Sequence, residues 1–432
     1  MLRIVASLWP LLLAAAILLG ANALQTTLLA VRGAAEGFPP ETIGLLLSGY
    51  YAGLIAGCRL APAAVRDVGH IRAFTAFASV ASAVALAHAL IVHPALWIAL
   101  RVVTGFCFAG LAMIMESWLN ERATNETRGR VLSVYRVVDF ARVTLLQAAI
   151  GLFDATRFTL FALLSIGLSL ALVPVALSRT EAPAPPASAR LDVRGLWRTS
   201  PVAVVGSGLV GLAAAAYWGM VPVFTVAKGL APGAAGLLLG AIVVGGAVAQ
   251  WPSGWLSDRT DRRLVLAASA GGAALTAVLV PLAAAAGTGP LLLSGALFGL
   301  FALPCFGLAI AHANDHAGPG EALSVSGGLL LVYAAVAVTG PVVAASIMRM
   351  LGPDALFWWI GLIYAGLAAF ALLRALQRAA PEREGPYVPV PRTTPAVFAL
   401  DPRADAPDEA EGQAPRVGPV AMLDEVEALP RP

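Results

Sequence analysis

The sequence predicts an all-α membrane protein in which twelve transmembrane helices form two pseudo-symmetric six-helix bundles. Three observations predict it. Hydrophobic residues make up 59% of the 432-residue chain and charged residues only 12%, about half the charged share of a soluble domain, too little to cover a water-soluble fold. Twelve stretches are apolar enough to cross a bilayer, whose core takes roughly 20 helical residues because every backbone amide must be satisfied within its own segment. Finally, short echoes relate the last six stretches to the first six at a near-constant offset.

In chain order the spans are expected near Ser7–Val31, Glu41–Leu60, Ile71–Val92, Pro94–Trp118, Arg130–Phe153, Arg157–Leu177, Pro201–Ala227, Pro232–Leu256, Leu264–Ala286, Pro290–His312, Ala322–Met348 and Asp354–Ala375. Breakers such as Phe38-Pro39-Pro40, Ala231-Pro232-Gly233 and Gly352-Pro353 mark short connections between antiparallel neighbours. The first span has a rival reading as a secretory signal, because Arg3 precedes the apolar run and Ala21-Asn22-Ala23 resembles a cleavage site. The run continues to Val31 and belongs to the repeat, so it reads as a span.

The arginines set the orientation. With the N-terminus cytoplasmic, inside segments before the tail carry fourteen Arg and outside loops carry four Arg or Lys. Both termini are therefore expected in the cytoplasm, consistent with an even number of spans. Residues 178–200, with Ala182-Pro183-Ala184-Pro185-Pro186, read as a linker between an N-terminal bundle (1–177) and a C-terminal bundle (201–376). Residues 377–432 are Pro-rich and acidic, a composition expected to stay disordered because it buries too little apolar area to offset its ordering entropy.

Composition also excludes functions. A net charge of +3 is too near balance to predict a nucleic-acid partner. Cys58, Cys107 and Cys305 lie in apolar runs at no metal-ligand spacing, so neither a disulfide framework nor a metal site is expected. No phosphate loop ending in Lys-Ser/Thr occurs, so no built-in ATP motor is expected, and no cofactor is called for. No nucleophile and base stand out at a shared depth, so an enzyme is not expected. The partner that composition calls for is the lipid bilayer, and the chain is expected to be monomeric.

The repeat is visible in particular residues. Gly44-Leu45-Leu46-Leu47 echoes Gly236-Leu237-Leu238-Leu239 at 192 residues, and Asp67 and Arg72 echo Asp258 and Arg263 at 191. Leu132-Ser133-Val134 echoes Leu323-Ser324-Val325, also at 191. Six spans repeated in parallel suit transporters that open a midplane cavity alternately to either side.

The fifth span carries Arg136, Asp139 and Arg142, three residues apart on one broad face. Three charges facing lipid would cost about 8–10 kcal/mol at roughly 2.5–3.5 each, so they are expected to face protein or a wet cavity. Two readings stay open: a self-neutralising ladder between helices, or a cavity site in which an anionic solute meets the surplus positive charge and Asp139 takes a proton. Asn22, Gln25 and Thr26 give the first span a polar face, suited either to a cavity wall or to interhelical hydrogen bonds. Tyr217, Trp218, Tyr333 and Gln250 are the candidates from the second half.

Gly254-Trp255-Leu256-Ser257-Asp258-Arg259-Thr260-Asp261-Arg262-Arg263, after the eighth span, resembles the Gly-x-x-x-Asp-Arg-x-Gly-Arg-Arg motif of the major facilitator superfamily. The copy after the second span, Arg66-Asp67-Val68-Gly69-His70-Ile71-Arg72, departs from it. Together with Met115-Glu116-Ser117-Trp118-Leu119-Asn120 and Arg128-Gly129-Arg130, it resembles the YcaD-like bacterial branch.

The resemblance implies a secondary active transporter working by alternating access. Asp258, Arg262 and Arg263 on one side and Asp67, His70 and Arg72 on the other would latch its outward-facing state; alternatively these arginines fix topology and bind lipid headgroups. Glu116 is expected to join this gate by pairing with Arg130 or Arg72. Arg101, in Leu100-Arg101-Val102-Val103-Thr104-Gly105, resembles the superfamily's Arg-x-x-x-Gly signature associated with proton coupling, with Thr104 where the family has glutamine. A guanidinium does not deprotonate in a protein, so Arg101 can only tune a neighbouring acid.

The expected function is proton-coupled transport of a small organic, anionic solute. A multidrug efflux antiporter is the alternative, although the fifth span lacks the Gly-Pro usual there and Gly340-Pro341 occupies the symmetry-related place in the eleventh. A transport-incompetent sensor signalling through the tail is a third reading.

Overall fold

A computed structural model of the chain describes residues 2–121, individual positions between 131 and 146, and residues 157–176, 192–231, 233–318, 321–377, 387–388 and 392–400. Among the described residues the fold is all-helical, and ten helices are long and apolar enough to cross a membrane. The first half holds α1 (Leu2–Ala35), α2 (Pro40–Val68), α3 (His70–Leu90) and α4 (Pro94–Glu121). A shorter apolar rod, α5 (Thr159–Leu170) and α6 (Leu172–Ala176), stands at the expected sixth span. The expected fifth span is described only at separate helical positions: Asp139 is among them, while Arg130, Arg136 and Arg142 lie outside the described residues.

Helix α7 (Val193–Thr199) leads into the second half. There α8 (Pro201–Ala227), α9 (Ala234–Ser257), α10 (Arg262–Ala286), α11 (Thr288–Ala302), α12 (Pro304–Asn314), α13 (Ala322–Ala337), α14 (Gly340–Leu351) and α15 (Ala355–Gln377) follow in order. The pairs α11–α12 and α13–α14 are each one membrane-length rod interrupted ahead of a proline, Pro304 and Pro341, because proline donates no backbone hydrogen bond and its ring crowds the preceding turn.

Glycine decides the closest helix pairs. A Cβ on Gly53 of α2 would lie 2.0 Å from the Val102 carbonyl oxygen, and one on Gly105 of α4 would lie 2.0 Å from that of Tyr50. The second half repeats the contact between α9 and α11, where a Cβ on Gly245 would lie 1.9 Å from the Ala296 carbonyl oxygen and one on Gly299 would lie 1.9 Å from that of Ile242. Gly245 follows Gly53 by 192 residues, so the tertiary contact falls in the register of the sequence echo. The pairing of α3 with α5 is matched in the same way by that of α10 with α15.

The two halves meet at the end of the bundle opposite the arginine-rich loops at 67–72 and 258–262. There Gly44 of α2 rests on the Pro341 carbonyl, which a Cβ would approach to 2.8 Å, and Glu41 pairs with Arg349 across the halves.

Two connections expected to be irregular are partly ordered. Residues 193–199 of the linker form α7, capped by Asp192, whose carboxylate accepts from the Gly195 amide at 3.0 Å, and anchored by buried Leu196 against Gly328 of α13. The tail expected to be disordered from residue 377 contains a seated segment. Tyr387 and Val388 pack on the core, and a 3-10 helix, Pro395–Leu400, lies between α4 and α13 with Val397 and Phe398 buried. Composition averaged over the acidic tail conceals this apolar patch, whose burial offsets its ordering entropy.

Candidate functional site

A cavity of about 250 Å³ lies between the halves. Its first-half wall comes from α1, α2 and α4. Asn22 and Thr26 are four residues apart and so share one face of α1. The Asn22 amide donates to the Tyr50 hydroxyl at 2.8 Å, and the Tyr50 ring lies beneath Arg101, 4.7 Å from ring centre to guanidinium carbon. Arg101 is fully buried. Its Nη2 donates to the Thr26 hydroxyl at 3.0 Å, while Nε and Nη1 find no partner among the described residues. A wholly buried guanidinium with unfilled donors carries a desolvation penalty of about 1–3 kcal/mol or more. Asp139 lies on the same cavity wall, within electrostatic reach of Glu116.

The second-half wall is aromatic and amide-bearing, with Trp218, Gln250 and Tyr333. Tyr217 is not on the cavity surface: it stands behind Trp218, ring centres 5.5 Å apart, and against Phe298 at 5.6 Å. Gln25 also lies off the cavity lining, since its position on α1 turns it away from the face of Asn22 and Thr26; it is buried, with both amide atoms lacking a partner among the described residues.

The seated tail completes the cavity on the arginine-rich side. Tyr387 is fixed twice, its hydroxyl donating to Gln250 Oε1 at 3.1 Å and its amide to Asp258 Oδ1 at 2.8 Å. Arg392 and Thr393 line the cavity. The hydroxyls of Thr393 and Thr394 both donate to the carboxylate of Glu116, which is fully buried. The structure gives Glu116 these threonines of a distant segment as caps, which sequence did not foresee; of its expected partners, Arg72 is exposed at the start of α3 and Arg130 lies outside the described residues. Arg392, Thr393 and Thr394 escaped the sequence reading, and the only local signal for them is a polar Arg-Thr-Thr step between apolar neighbours.

The expected gate residues divide. Asp67 and Arg72 are exposed, and His70 is buried against the Trp118 ring, centres 5.9 Å apart. In the second half, Arg262 donates to Asp315 at 2.7 Å, to Ser257 at 2.8 Å and to Asp258 at 3.2 Å. Arg263 forks onto Asp261, the shortest contact 2.7 Å, and reaches the Arg374 carbonyl at 3.0 Å. Burial alone would raise the Asp261 carboxyl, but the bonds from Arg263 outweigh it and hold the group below its ordinary value. The structure thus ties Asp258, Arg262 and Arg263 to one another's neighbours within the second half, and does not bring Asp67 or Arg72 into that cluster.

Residues 203–404 match the family model described as Major Facilitator Superfamily. An uncharacterized MFS-type transporter of Yersinia pestis (strain Pestoides F) is 24% identical over 363 residues, covering 82% of this chain and 91% of that protein. The uncharacterized MFS-type transporter YcaD of Escherichia fergusonii is 24% identical over 361 residues, covering 83% and 92%. Among solved structures, the nucleoside transporter NupG superposes with a TM-score of 0.67 at 13% identity, covering 85% of this chain and 98% of that one. A bacterial homologue of the human lysosomal transporter Spinster superposes with a TM-score of 0.69 at 14% identity, covering 85% and 96%.

Proposed function

We infer that this chain is a multi-pass membrane transporter of the major facilitator superfamily and that it carries a small organic solute with an anionic group through the cavity between its halves, in exchange or in company with protons. One observation carries the reading of the solute. Arg101 is buried in the cavity wall with Nε and Nη1 unpaired among the described residues, and a planar fork of free N–H donors in a dry wall matches a carboxylate. A bound anion would satisfy the donors and the charge together, lowering the cost of burying them.

The orientation proposed puts the arginine-rich end in the cytoplasm of a bacterial inner membrane. The contact of Gly44 with Pro341 and the Glu41–Arg349 pair then close the outer side, making this an inward-facing state. Asp139 is the proposed proton carrier, since it shares the cavity with Arg101 and a guanidinium keeps its proton. Asp258, Arg262 and Arg263 are proposed to act as a gate through the end of the second half that they stiffen.

The test is reconstitution. A metabolite panel is screened for thermal stabilisation of the purified protein, because a ligand of the folded state raises apparent stability by mass action. Hits are then taken into proteoliposomes. Carboxylates are expected to stabilise and to be exchanged, and Arg101→Gln is expected to lose both responses while remaining folded. Asp139→Asn is expected to keep solute exchange and to lose accumulation driven by a pH gradient. Stabilisation by neutral solutes alone, unaffected by Arg101→Gln, would refute the reading.

A further inference from the structure

Across the cavity from Arg101, the chain places a cation of its own. The guanidinium carbon of Arg392 lies 5.6 Å from the ring centre of Phe306 and 5.8 Å from that of Tyr333. The two rings meet edge to face at 5.1 Å, and the phenols of Tyr217 and Tyr333 lie within electrostatic contact of the guanidinium. Ring faces are negative, so such a wall attracts a planar cation, and more strongly once water is excluded. The rest of the segment holds Arg392 there, through Tyr387 on Gln250 and Asp258, Thr393 and Thr394 on Glu116, and buried Val397 and Phe398.

We propose that Tyr333 on the cavity lining, backed by Phe306 and Tyr217, is a cation subsite of the cavity, filled in this structure by Arg392 of the tail as an intramolecular competitor of a solute bearing a guanidinium or ammonium group. The proposal deepens the transport reading and rests on it. Arg101 takes the acidic group and the aromatic wall takes the basic one, so the solute class is a zwitterion. The tail lowers the apparent affinity for that solute in proportion to the time it is seated, because only the open fraction binds.

The experiment uses full-length protein in lipid nanodiscs and agmatine, a guanidinium compound without a carboxylate, as the probe. Arg392→Gln is expected to bind agmatine roughly tenfold more tightly than the unaltered chain. Arg392→Lys, which keeps the cation, is expected to stay near the unaltered chain. Thr394→Val, which loosens the segment without touching the wall, is expected to reproduce the gain, and adding Phe306→Leu to Arg392→Gln is expected to abolish it. Equal agmatine binding by the unaltered chain, Arg392→Gln and Arg392→Lys would overturn the subsite, as would a gain that survives Phe306→Leu. L-Arginine, which adds the carboxylate, separates the two readings. If its binding to Arg392→Gln is insensitive to Arg101→Gln, the anion reading fails while the cation subsite stands.

Discussion

Replacing Arg262 by methionine asks how firmly the arginine-rich loop is built into the second half. The side chains of Arg262 and Asp315 are 2% and 3% exposed and meet at 2.7 Å, and Arg262 also bonds Ser257 and Asp258. The substitution keeps most of the apolar stem but removes the 2.7 Å bond from the Asp315 carboxylate, which is 3% exposed. Removing one member of a buried pair costs about 3–5 kcal/mol, most of it the desolvation of the charge left behind. With about 2–4 °C per kcal/mol for a unit the size of one half, the thermal midpoint is expected to fall by about 10 °C. Combining Arg262→Met with Asp315→Leu removes both charges and is expected to recover most of the loss, as a double-mutant cycle requires of coupled groups. The assay is unfolding followed by intrinsic fluorescence in one detergent at one heating rate. A single variant that melts within about 2 °C of the unaltered chain would refute the reasoning, because breaking a pair this deeply buried costs several kcal/mol, on the order of 3–5.

Three further outcomes follow from the geometry. Gly299→Ala would place a Cβ 1.9 Å from a backbone carbonyl and is expected to destabilise by about 1–3 kcal/mol, whereas Gly271→Ala, with nothing within 4 Å, is expected to stabilise by about 0.4–1 kcal/mol; paired thermal scans decide between them. Asp261→Asn keeps the cap on the Arg263 amide but removes the charge. Because the folded state holds Asp261 below its ordinary value, the stability lent by its charge is present above the unfolded value of about 3.9 and is lost as pH falls through the folded value. The gap in melting temperature between the two proteins should therefore be open near neutrality and close in acid. Lastly, buried Cys58 lines the same cavity as Arg392 and Thr393, so in a Cys107→Ser/Cys305→Ser background its alkylation is expected to accelerate when Arg392→Gln is added; an unchanged labelling rate would mean that the segment stays in place.

The all-helical membrane fold was legible because a bilayer forces each span to satisfy its own backbone, leaving a long apolar run as its mark. Even the close pairing of α2 with α4 and of α9 with α11 left a trace, since Gly53 and Gly245 recur at the offset of Gly44 and Gly236. Arg101 stood out in the sequence because a lone charge in a span demands a reason. Gln25 and Tyr217 were harder to place, because helical spacing gives a face but not what that face meets.

The sequence by itself therefore determined the helices, their apolar faces and the candidate charges, all consequences of local composition in an apolar solvent. Only the tertiary structure decided what caps Glu116 and what fills the aromatic wall, with 277 residues separating Glu116 from Thr393. Such contacts are selected by the shape and charge of a cavity that exists only when both halves are assembled. Residues 392–398 read as part of a polar tail in isolation, and they become part of the site because the bundle offers them a buried carboxylate, two ring faces and an apolar cleft at one opening.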